Sequence, residues 1–109
     1  MVYLGMHKAK LIRNDRIVLK GGLFIVEIKA FEVPKGKKYP EGVKLKCVLI
    51  DQEMGKPRIL LDNHAPHGFH LHSRLPEEHD FREPLDVSDY EDAIKLFFKQ
   101  VRKVISNEN

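Results

Sequence analysis

What most limits the folds open to this chain is a succession of alternating apolar segments whose connections are too short for crossover helices. In Leu23–Val33, Phe24, Val26, Ile28 and Ala30 share one face while Ile25, Glu27 and Lys29 share the other. That period of two marks a half-buried strand. Val43–Asp51 repeats the pattern, with Val43, Leu45, Cys47 and Leu49 on the apolar face and Lys44 and Lys46 opposite. Pro34–Gly42, rich in Lys, Gly and Pro, reads as an exposed loop. Gln52–Pro57, containing Gly55, reads as a turn before a short strand, Arg58–Asp62. Upstream, Lys8–Arg13 and Arg16–Lys20 are expected as strands around a turn at Asn14–Asp15. Gly21–Gly22 then supplies a tight turn or bulge before the long strand. Strands joined this closely pair antiparallel.

The period changes after Ser88. Tyr90, Ala93, Ile94, Phe97, Phe98, Val101, Val104 and Ile105 recur at steps of three and four, which defines a helix from about Asp89 to Ile105 with one wide apolar face. Ser88 and Glu91 have the spacing of a capping box. Asp89, Glu91 and Asp92 at the start, with Lys99, Arg102 and Lys103 near the end, match the helix dipole. The expected architecture is therefore α+β: an antiparallel meander of four to five strands with the C-terminal amphipathic helix packed on one face. A length of 109 residues suits a single domain, 1–109.

Composition narrows the setting. Apolar residues at 42% and charged residues at 32% argue for a packed globule rather than disorder. No apolar run approaches the ~20 residues of a membrane span, and Met1–Lys8 lacks the charged and apolar regions of a signal peptide. Cys47 is the single cysteine, so no internal bridge can form, and a reducing cytoplasm is expected. Charge is divided: residues 1–60 carry 13 Lys/Arg against 6 Asp/Glu, and residues 61–109 carry 6 against 10. A basic half can attract nucleic acid or an acidic protein, or can simply be a solvated Lys-rich surface.

Chemistry concentrates in Asp62–His72. Four of the six histidines, His64, His67, His70 and His72, fall within nine residues, broken by Pro66 and Gly68. If His70–Leu71–His72 is extended, both imidazoles project to one side. Three readings stay open. Imidazoles exchange protons near neutral pH, so a His pair beside lysines is suited to cutting a phosphodiester. His with Asp or Glu is also a ligand set for zinc, nickel, copper or manganese, although the spacing matches no particular zinc signature. Finally, loop histidines can be plain surface groups. For Asp62 and Asn63, an Asx turn at a strand end is the structural alternative to a chemical role.

These residues carry a resemblance. The stretch from Arg58 to Ile105 resembles the TumE-type toxin family of toxin–antitoxin modules, through Asp62–Asn63 at a strand end, Ala65–Pro66–His67, His70-x-His72 and the helix from Asp89. It departs from the family in having Leu60–Leu61 where an aromatic residue often stands, and in a shorter Asn63-to-His70 spacing. The resemblance implies a toxin encoded beside an antitoxin, often a helix-turn-helix protein, and supplies no reaction. Residue chemistry suggests the roles: His70 and His72 as acid/base groups, Asp62 orienting them, Asn63 and His67 on the substrate, and Lys44 and Lys46 guiding an RNA backbone. In the metal reading, His64, His67, His70 and His72 hold a divalent ion, and the protein is a non-catalytic metal-binding or interaction domain. A nucleic-acid-binding subunit using the basic sheet face is a third reading.

Overall fold

A computed structural model describes residues 9–64 and 68–107. Six strands run in chain order through one antiparallel sheet: β1 (Lys10–Leu19), β2 (Phe24–Glu32), β3 (Val43–Asp51), β4 (Lys56–Asp62), β5 (His70–His72) and β6 (Glu83–Pro84). One helix, α1 (Tyr90–Asn107), follows and packs on β3 and β4. The α+β meander with its C-terminal helix is as expected, with one strand more. Among the described residues no helix is long and apolar enough to cross a membrane.

The differences are instructive. Asn14–Asp15 is not a turn: β1 runs straight through it, pairing Asn14 with Lys29 and Asp15 with Ile28. Nine paired positions along β2 outweigh a two-residue turn preference, and the Arg13 guanidinium reaches Asp15 at 2.6 Å along the same strand. The irregularity falls earlier, as a register shift between Leu11 and Arg13. The chain reverses instead at Lys20–Gly22, one 3₁₀ turn in which Gly21 takes φ +63° and Gly22 φ +103°, conformations that glycine reaches without a Cβ penalty. Two short strands, β5 and β6, extend the sheet beyond β4; three and two residues are too few to show a period.

The core lies between the sheet and the helix. Val26, Ile28, Ala30, Leu45, Cys47, Leu49, Ile59 and Leu61 meet Ala93, Ile94, Phe97 and Val101, all almost fully buried. Burial pushes the Cys47 thiol up to about 12, with Arg13 pulling weakly the other way. The helix cap sits one residue later than the Ser88–Glu91 pattern suggested. The Asp92 amide donates to the Asp89 carboxylate at 2.8 Å, and a carboxylate there also meets the positive end of the helix dipole. The helix runs on to Asn107, which leaves Lys99, Arg102 and Lys103 before its last turn.

Candidate functional site

Strand alternation sorts the site residues. On β4, Ile59 and Leu61 are buried on the helix side, so Leu60 and Asp62 turn to the opposite, open face. On β3 the same alternation buries Leu45 and Cys47 and leaves Lys44 and Lys46 exposed. On β5, Leu71 joins the core while His70 and His72 share the open face with Asp62. Register then sets them side by side: Lys29 opposite Lys46, Lys46 opposite Asp62, and Asp62 opposite His70. At ~4.8 Å per strand spacing, one row carries two lysines, a carboxylate and an imidazole across four neighbouring strands.

Geometry within the row is tight. His70 Nε2 lies 2.9 Å from Asp62 Oδ1, and His70 Nδ1 lies 2.8 Å from the Gly68 carbonyl oxygen. The His70 and His72 rings meet edge to face with centroids 5.1 Å apart. Asp62, His70 and His72 each offer a ligand atom within 4.8 Å of the other two. Both histidines are nearly buried, at 4% and 9% exposure, whereas the Asp62 side chain keeps 29%. A concavity of about 310 Å³, lined by Tyr39, Lys44, Lys46, Leu60, Asp62 and His64 among others, opens on Asp62. Tyr39 has its hydroxyl pKa raised, first by burial and then by the Asp62 charge.

The hydrogen-bond logic of His70 is specific. A backbone carbonyl only accepts, so Nδ1 carries a hydrogen and donates it to Gly68. In the neutral ring Nε2 then presents a lone pair to a carboxylate that also only accepts. Two such atoms at 2.9 Å are reconciled by a proton or a cation between them.

The expected residues thus divide. Asp62, His70 and His72 come together, and Lys44 and Lys46 line the same concavity as Asp62. Asn63 stands at the inner wall of that concavity. It is fully buried, its carboxamide oxygen accepting the Leu45 amide at 3.0 Å and its nitrogen donating to the Val43 carbonyl at 2.7 Å and to Glu41 at 3.2 Å. It clamps the end of β4 to β3. Asp62 makes the Asx turn, accepting the His64 amide at 3.3 Å. His64 is exposed, rests edge-on against Tyr39, and stands outside the ligand cluster, where Asp62 takes the place expected for it. His67 lies outside the described residues. Tyr39 and Gly68 were not foreseen. Tyr39 reaches the site from the loop between β2 and β3, and the role of Gly68 resides in its carbonyl, which no side-chain pattern reveals.

In comparisons with family models, curated proteins and solved structures, the chain matches none.

Proposed function

We propose that this protein acts on RNA or a nucleotide at the Asp62–His70–His72 cluster, as the toxin of a toxin–antitoxin module working in the cytoplasm. The observation that carries the reading is the row Lys29–Lys46–Asp62–His70, which sets cationic side chains beside a carboxylate and an imidazole on one face. Lys44 and Lys46 would hold phosphate oxygens as point charges. His72 would take the proton of the attacking hydroxyl, and the proton held between His70 Nε2 and the partly exposed Asp62 carboxylate would pass to the leaving oxygen. The toxin setting and the helix-turn-helix antitoxin partner rest on the resemblance carried by Asp62–Asn63 and His70-x-His72. The reducing location fits a lone buried cysteine.

The test is growth after induced expression of the wild type and of the His70→Ala/His72→Ala double variant, with soluble yield and total RNA integrity followed in both. Arrest and RNA loss confined to the wild type are expected. Equal arrest by both, or no arrest by either with both soluble, sinks the reading. A second reading, a non-catalytic metal-binding domain, is favoured by the convergence of three ligand atoms within 4.8 Å.

A further inference from the structure

We infer that Asp62, His70 and His72 form an open, three-ligand site for a divalent first-row transition ion, with zinc as its natural probe. The inference rests on reading this cluster as the functional site, and it adds a cofactor to it.

Four observations converge. First, the donor set is one carboxylate and two imidazoles, whose nitrogen-rich character suits borderline transition ions better than magnesium or calcium, which prefer all-oxygen shells. Second, the spacing is close. Two atoms bound ~2.1 Å from one tetrahedral ion lie about 3.4 Å apart, so the 2.9 Å between Asp62 Oδ1 and His70 Nε2 would open by only about 0.5 Å to admit one. The His72 ligand atom is within 4.8 Å of both, on the same side of the sheet.

Third, His70 is already set as a ligand. The Gly68 carbonyl fixes the hydrogen on Nδ1 and aims the Nε2 lone pair at the cluster, which is the outer-shell arrangement that metal-binding histidines use. Gly68 reaches this geometry at φ +64°, where a Cβ is strained. Fourth, His72 is 9% exposed, and among the described residues no hydrogen bond reaches its ring. No side-chain nitrogen among the described residues is both buried and unpartnered, so the His72 lone pair is open to an ion.

The ligands stand on paired strands, so the register of β4 and β5 preorganises them. Opposing charge comes from Lys46, beside Asp62 in the row, and from Lys44. Both are exposed and screened by solvent, whereas the ligand bonds form where water is largely excluded. Three protein ligands leave coordination positions open, and the exposed side of Asp62 directs these to the Lys44–Lys46 concavity. That is the form of a reactive site rather than a closed structural one.

The full chain, stripped with chelator and dialysed, is titrated with zinc by calorimetry. One zinc per chain is expected, with magnesium bound at least ~100-fold more weakly. Asp62→Asn, which keeps the side-chain shape, and His72→Ala should each weaken zinc by ~10-fold or more, while His64→Ala leaves it unchanged. Melting of each ion-free variant checks its fold. Cobalt bound to the wild type needs no variant: visible d–d bands of a low-coordinate nitrogen–oxygen site are expected. Absence of stoichiometric zinc binding, binding that survives Asp62→Asn and His72→Ala, or equal loss in His64→Ala overturns the site. No zinc binding with arrest that still needs His70 removes the metal and keeps the RNA reading. Zinc bound one to one with no arrest does the reverse.

Discussion

The two faces of this sheet are built from the same strands under opposite constraints. On the helix side, alternate residues from Phe24 to Ala30 of β2, from Val43 to Leu49 of β3, and Ile59 and Leu61 of β4 are apolar and buried in one core with Phe97 and Val101. On the other side the alternate residues mix apolar groups such as Ile25, Val48 and Leu60 with Lys29, Lys44, Lys46 and Asp62, continued by His70 and His72. One sealed face is enough to hold a small antiparallel sheet, so the other is free to gather groups that contribute little to stability. A carboxylate against two nearly buried imidazoles is such a gathering, and polar clusters of that kind mark sites rather than scaffolds.

Substitutions test how complete this division is. The largest stability effect belongs to the sealed face. Phe97→Ala should cost about 3–5 kcal/mol by urea unfolding. Alkylation of Cys47 gives a second reading of the same loss. A thiol raised to about 12 by burial should stay unreactive at pH 8 in the folded wild type and react in the variant in step with its opening. The sign follows from linkage: a raised thiol pKa adds stability below the unfolded value near 9, lost as pH climbs towards 12.

Asn63→Ala comes next, at about 2–3 kcal/mol, because it strips partners from the Leu45 amide and the Val43 carbonyl. Any loss of activity should then track loss of fold. Full stability with lost activity would move Asn63 to the open face's account and blur the comparison. The smallest stability effect is expected for Lys44→Ala/Lys46→Ala, within ~0.5 kcal/mol. The same pair should weaken RNA association and flatten its salt dependence, measured by fluorescence anisotropy. Unchanged RNA binding would leave the open face without its proposed substrate track.

Much of the sealed face was legible because burial writes a period into sequence. Phe24–Val26–Ile28–Ala30, Val43–Leu45–Cys47–Leu49 and the helix stripe from Tyr90 to Ile105 all pack as their spacing requires. The site was legible in part. His70 and His72 needed only an extended backbone to share a side, and Asp62 stood at the strand end. Partnerships across strands were not legible. That Lys46 stands beside Asp62 depends on a register that no local pattern encodes, and Tyr39 borders the same concavity from the loop between β2 and β3. The clamp made by Asn63 was hidden too: its neighbour's carboxylate faces the site while its own carboxamide is buried against β3. Period two separates adjacent residues absolutely.

The polar interruption in β1 has a consequence of its own. This strand is the last of the sheet on its side and exposes Leu11, Ile12, Ile17 and Val18. A long, apolar outer strand is a template on which other chains can polymerise. Arg13, Asn14, Asp15 and Arg16 sit at its middle, splitting it into two apolar stretches too short for a six-residue zipper. The dipeptide that looked like a turn places polar groups at the middle of the outer strand while leaving it unbroken.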